Sequence, residues 1–243
     1  MHLIVLDVGG GEALLVRTPS GRNLLISGGP SATRLSDAPG RRLPLTRREL
    51  DYLVVAGGSD EQLQALPHLV ERFRLSNVLW AGPAHVSRSA RALDTGLSDS
   101  GVSIVEAIPG LALDLGQGAV LRVLSVVSRG AILELEWGSF RALLPTGADF
   151  AAMEALGNGK AIGPVTALLL AGGGYAPLNP PEWIAQLRPQ VALLSVTAAD
   201  WHGLPDPETL QAVAGYTLLR TDRNGWIHLS TDGEQLWVEV EKR

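Results

Sequence analysis

The chain has no cysteine, which removes disulfides and thiolate metal ligands from consideration. No apolar run approaches the roughly 20 residues a helix needs to cross a bilayer. The N-terminus has no basic stretch ahead of a signal-type apolar core, because Met1 leads almost directly into a strand-like run. The chain as given therefore reads as soluble. Basic charge is also not in excess: 20 Lys and Arg against 25 Asp and Glu leave a formal net charge of −5. Such a field does not favour a polyanion, so a nucleic-acid partner would need a local basic patch. What remains is a globular composition, 46% hydrophobic and 19% charged over 243 residues, long enough to bury a sizeable core.

The hydrophobic pattern runs in two similar halves. Leu3 to Val8, Ala13 to Thr18 and Asn23 to Ser27 read as strands joined by short turns, an antiparallel meander. Gly9-Gly10-Gly11 resembles a phosphate-cradling loop, but no helix pattern follows it, which argues against nucleotide binding. Ser31 to Arg48 is polar and carries arginines at 34, 41, 42, 47 and 48. It reads as a solvated loop, or as an anion-contacting arm through Arg41 and Arg42. Leu50 to Val55 is a strand, and a helix is expected from about Asp60 to Phe73, with Leu63, Leu66, Leu69, Val70 and Phe73 at helical spacing. A strand, a helix from about Ser87 to Leu97 and another strand complete this half.

The second half opens with hairpin strands between Leu111 and Leu144. Trp137 and Phe140 flank Gly138-Ser139 there, a strong two-residue turn signal. The βα alternation then returns: helices over Phe150 to Leu156, Pro181 to Leu187 and Pro207 to Ala214, with strands over Val165 to Leu170 and Val191 to Val196. A strand over Thr217 to Arg220, a turn over Asp222 to Gly225 and two last strands close the chain. No linker separates the halves. The expected fold is one α/β domain over 1–243, a four-layer αββα sandwich of two mixed sheets with outer helices.

This order of elements, opened by Leu6-Asp7-Val8-Gly9-x-Gly11-Glu12-Ala13, resembles the metallo-β-lactamase fold. More narrowly it is similar to the C-terminal hydrolase-like domain of ComEC-type competence DNA-uptake channels. Ile26-Ser27-Gly28-Gly29-Pro30 stands at that family's Ile-Asp-Gly-Gly strand end, and Arg220-Thr221-Asp222-Arg223-Asn224-Gly225 at its closing turn. The resemblance covers nearly the whole chain. It implies metal-assisted phosphodiester hydrolysis, with imidazole and carboxylate ligands around zinc or manganese.

The ligand positions depart from that pattern. The family's Thr-His-x-Asp-x-Asp-His loop corresponds to Ala56-Gly57-Gly58-Ser59-Asp60-Glu61-Gln62. Gly57 and Gln62 replace the histidines and Ser59 the first aspartate, so Glu61 alone keeps a carboxylate. Ala148 stands at the bridging aspartate, with Asp149 one residue late; Gly172 and Gly173 replace a His-His pair, and Leu204 the last histidine. These substitutions imply no bound metal and a non-catalytic binding or structural domain. Its implied partners are single-stranded DNA or a membrane channel protein, outside the cytoplasm if the chain belongs to a longer membrane protein.

An alternative hydrolase would hold Mg²⁺ or Mn²⁺ through carboxylates alone, from Asp7, Asp60, Glu61 and Asp149. Asp60 also suits a helix N-cap, and Glu61 a first-turn acid. The five histidines, at 2, 68, 85, 202 and 228, have no ligand-pair spacing. His202 sits in a loop at the expected rim, and the others read as isolated surface, strand or packing residues. Ser27 and Ser59 fall near the expected mouth without an assignable base. The glycines of the emptied loops leave backbone N–H groups that can hold an anion, or loops that bind nothing.

Overall fold

The computed structural model describes residues 1–42 and 49–242, and of residues 38–42 the backbone alone. The first half contains β1 (His2–Val5), β2 (Ala13–Arg17), β3 (Asn23–Ser27), α1 (Ala32–Arg42), β4 (Glu49–Val55), α2 (Asp60–Leu63), α3 (Leu66–Val70), β5 (Arg74–Trp80), α4 (Arg88–Ser100) and β6 (Ser103–Glu106). The second contains β7 (Ala112–Gly116), β8 (Ala119–Val127), β9 (Gly130–Trp137), β10 (Phe140–Leu144), α5 (Phe150–Ala155), β11 (Ala167–Leu169), α6 (Pro181–Leu187), β12 (Val191–Leu194), α7 (Pro207–Ala212) and β13 (Thr217–Arg220). The chain ends with α8 (Thr221–Asn224), β14 (Ile227–Thr231) and β15 (Leu236–Val240).

Two mixed sheets result, ordered β15-β14-β1-β2-β3-β4-β5-β6 and β13-β12-β11-β10-β9-β8-β7. The expected meander is present as antiparallel β1–β2–β3, and Phe140 pairs with Trp137 across the predicted hairpin turn. From β3 to β6, and again from β10 to β13, the pairing is parallel.

The inner faces of the sheets bury Leu14, Leu24, Ile26 and Val54 against Leu121, Leu133, Leu144 and Leu169. On the outer face of the first sheet, Leu25, Leu53 and Val55 pack under Leu66, Leu93 and Leu97 of the helices. On the second, Ile132, Leu143 and Leu168 pack under Met153, Trp183 and Ile184. Helices on both outsides and an apolar seam between the sheets make the four layers. Strands buried on both faces explain the unbroken apolar runs in the sequence. Each such leucine contributes about 1.5–3 kcal/mol on burial.

Three expectations need correction. Ala32–Arg42 is a helix, not a loop, with Leu35 fully buried in the outer layer. The side chains of Arg41 and Arg42 lie outside the described residues, as does 43–48. The single helix over Asp60 to Phe73 is two short ones, α2 and α3. Pro67 has no N–H to give the Leu63 carbonyl, and the Gln62 carbonyl, which Leu66 would serve in a continuous helix, accepts from the N–H groups of Gly28 (2.8 Å) and Gly29 (3.0 Å). The closing turn is one helical turn, α8, whose Asn224 carboxamide oxygen accepts the Arg220 N–H.

Behind the strand ends the sheets are joined by backbone. Gly57 faces Gly130 in an antiparallel bridge; the Ala131 N–H donates to the Ala56 carbonyl at 2.7 Å and the Gly58 N–H to the Arg129 carbonyl at 3.0 Å. This approach leaves no room for a Cβ on Gly130, which would meet the Ala56 carbonyl and the Gly57 Cα, and its φ of +143° is unfavourable for an L side chain. Gly130→Ala should therefore cost about 2–4 kcal/mol of stability in chemical denaturation. Gly118→Ala, a left-handed position with open space around it, should cost less.

Candidate functional site

The strands β1, β4, β10, β11 and β12 stop at the same edge of the sandwich, and the loops that leave them converge on a cleft of about 540 Å³. This is where an α/β sheet usually presents its ligand site. The lining includes Gly10, Gly11 and Glu12 after β1, Ser59, Glu61 and Gln62 after β4, and Ala148 after β10. Gly172 and Gly173 follow β11, and Trp201, His202 and Leu204 follow β12.

Most of the predicted site is therefore brought together: Ser59, Glu61, Gln62, Ala148, Gly172, Gly173, Leu204 and His202 all line one space. Gly57 lies behind it, in the inter-sheet bridge. Other expectations fail on geometry. Ser27 is fully buried, has a left-handed φ of +57°, and does not line the cleft; its Oγ has no hydrogen-bond partner among the described residues. Asp60 does not cap its own helix, for Ser59 holds that position. The Asp60 carboxylate instead accepts the Ser89 N–H at 2.9 Å at the start of α4, and hydrogen bonds from Ser89 hold its pKa below the usual range. Asp149 caps α5 by accepting the Ala152 N–H at 2.8 Å. Asp7 is paired with Arg34 at 3.1 Å. Nor is His228 isolated: its Nε2 lies 3.1 Å from Nδ1 of His2 on the neighbouring strand.

Gln62 dominates the floor. Its Nε2 donates to the Thr146 carbonyl at 2.6 Å and reaches Glu12 at a long 3.4 Å, while its Oε1 accepts from the Ser59 hydroxyl at 3.2 Å. A Cβ built on Gly57 would collide with this carboxamide, so the side chain at 62 fills the space that one at 57 would need. One hydrogen-bonded group thus takes up both positions that the resemblance equates with histidines.

Glu12 is the residue the sequence reading passed over. It is 3% exposed, and burial pushes its pKa up to about 8, against a smaller downward pull from Gln62. The carboxyl is therefore protonated at neutral pH. Its signal in the sequence was an acid set directly before the buried apolar run Ala13 to Val16.

Trp201 is the other feature missed. It is 82% exposed at the cleft mouth, its ring centroid 3.7 Å from that of His202. Asp200 orders this loop by accepting the N–H groups of His202 and Leu204.

Solved structures with a similar fold include Zn²⁺-bound PqqB from Methylobacterium extorquens, with a TM-score of 0.64 and 12% identity over 90% of this chain and 98% of that one. The metallo-β-lactamase fold protein YhfI from Bacillus subtilis gives a TM-score of 0.60 and 12% identity over 90% and 96%. The chain has the metallo-β-lactamase fold. CmlA, a diiron β-hydroxylase from Streptomyces venezuelae, gives a TM-score of 0.57 and 17% identity over 90% of this chain, which spans about half the length of CmlA. No family model and no curated protein matches the sequence.

The residues present do not fit the zinc of PqqB or the diiron group of CmlA. Among the described residues around the cleft the carboxyls are a buried neutral Glu12, an exposed Glu61 and a loop-ordering Asp200, with one imidazole, His202, beside Trp201 at the rim. Among the described residues no group of three or more His, Asp or Glu could hold a metal ion.

The buried acid predicts a pH dependence. Unfolded, Glu12 loses its proton near 4.5; folded, it keeps it to about 8. Between those values the folded state holds the extra proton, so stability falls as pH rises, by about 1.4 kcal/mol per pH unit from this group, and levels off above pH 8. In urea denaturation from pH 4.5 to 9, Glu12→Gln should flatten that slope relative to the parent. Gln62→Leu, which strands the Thr146 carbonyl, should cost about 1–3 kcal/mol at any pH in the range.

Proposed function

We propose that this chain is a metallo-β-lactamase-fold domain with a binding or structural role in place of metal-assisted hydrolysis, related to the hydrolase-like domain of competence DNA-uptake channels. The observation that carries this reading is Gln62, whose carboxamide fills the space beside Gly57 and is engaged by Ser59, Thr146 and Glu12. A carboxylate-only centre is disfavoured by the partners of its candidates: Asp7 with Arg34, Asp60 on α4 and Asp149 on α5. Single-stranded DNA or a membrane channel protein is the partner class the resemblance suggests. Contact with a phosphate backbone would fall to the arginines of segment 31–48, whose planar forks suit phosphate oxygens.

Purified protein dialysed against Zn²⁺ or Mn²⁺ and then against buffer should hold far less than one ion per chain by elemental analysis, and should leave a single-stranded oligonucleotide intact. Stoichiometric metal together with cleavage that disappears in Glu61→Ala would sink the reading. Charge reversal at Arg41 and Arg42 should weaken oligonucleotide binding and flatten its salt dependence; if it does neither, the basic segment is not the DNA-contacting surface.

A further inference from the structure

We propose that the cleft receives a small organic cation, an amine or amidine on an apolar or aromatic body, between the Glu12 carboxyl at its floor and the Trp201 ring at its mouth. This rests on the reading of the cleft as free of a metal centre and adds the chemistry of the ligand. The volume of about 540 Å³ lies within the range of small-molecule sites. The charge of its walls selects the sign: among the described lining residues, the carboxyls of Glu12, Glu61 and Asp200 face a single guanidinium, Arg129, with His202 beside Trp201. An anion would meet the Glu61 and Asp200 carboxyls against one arginine, and would gain nothing from the neutral Glu12.

The two ends are suited to different parts of one molecule. Val86, 45% exposed, and Trp201, 82% exposed, leave apolar surface at the entrance. An indole face is the strongest aromatic partner for a cation. At the floor, Glu12 is almost wholly buried, yet the side-chain hydrogen bond it receives is the long one from Gln62, whose Nε2 is held more tightly by Thr146. A carboxyl so placed lacks a strong donor. An ammonium supplies N–H donors and opposite charge together, which favours the carboxylate over the acid. Docking therefore releases the Glu12 proton to buffer, and the ammonium takes its place. Affinity should rise with pH up to about 8, since the acid must ionise while the amine stays charged. The other titratable groups around Glu12 are Glu61 on α2, Arg129 in the β8–β9 turn, Asp200 and His202 after β12, and Asp7 of its own loop paired with Arg34 of α1.

Tryptamine is the probe, titrated calorimetrically into chelator-treated protein at pH 7 in two buffers of different ionisation enthalpy. The expected result is one saturable site with proton release, weakened about tenfold or more in Glu12→Gln and a few-fold in Trp201→Ala. Trp201 is exposed, so its variant tests the mouth even if Glu12→Gln folds poorly. The inference is overturned if tryptamine does not saturate, if indole-3-acetate binds as well, or if an oligothymidylate competes for a site indifferent to Glu12→Gln. Metal content is measured on the same samples. Bound metal counts against the metal-free reading itself, whereas metal-free protein that ignores tryptamine counts against the ligand alone.

Discussion

The frame depends on the apolar layer between the two sheets, where Leu14, Ile26 and Val54 meet Leu121, Leu133 and Leu144. Because this layer sets both sheets at one separation, the end of β4 meets the start of β9. The loop after β4 then bridges by backbone, Ala131 N–H to the Ala56 carbonyl, and the loop after β10 joins the same residue, Gly147 N–H to the Ala131 carbonyl. Interiors are close-packed, so the bridge admits no extra atoms, and glycine at 130 and 147 follows from that. The cleft is what the converging loops leave open in front of it.

Within that cleft, Gln62 ties loops from different strands to one point through Ser59, the Thr146 carbonyl and Glu12. The tie is a set of neutral hydrogen bonds, each modest in net stability but costly to break once its partners are buried. A neutral Glu12 avoids most of the cost of burying a charge, at the expense of a stability that declines with pH. The same carboxyl is then available to a ligand whose own charge makes ionisation favourable. The two proposals therefore concern one group of atoms.

Much of this could be read from residues alone. The succession of strands along the chain and most of the outer helices followed from periodicity, and the hairpin from its Gly138-Ser139 turn, because a strand buried on one or both faces and a helix with one apolar stripe leave distinct patterns. The chain positions of the cleft loops were also legible through the resemblance. What failed were features decided by distant neighbours. The break between α2 and α3 depends on Gly28 and Gly29 capturing the Gln62 carbonyl, and α1 depends on Leu35 finding the outer layer. Asp60 and Asp149 suited either a helix cap or a ligand by composition, and only their distances to Ser89 and Ala152 chose.

The sequence by itself determined the layers, the succession of elements along the chain and the lack of histidine at Gly57, Gln62, Gly172, Gly173 and Leu204, since these depend on local pattern and residue identity. Only the tertiary structure decided that Gln62 occupies the space beside Gly57, that Glu12 is buried and protonated, and that Trp201 stands at the mouth. The physical reason is range. Propensity and periodicity act over a few residues, whereas the desolvation of Glu12 and the seating of Gln62 on Thr146 depend on atoms 50 and 84 positions apart in the chain.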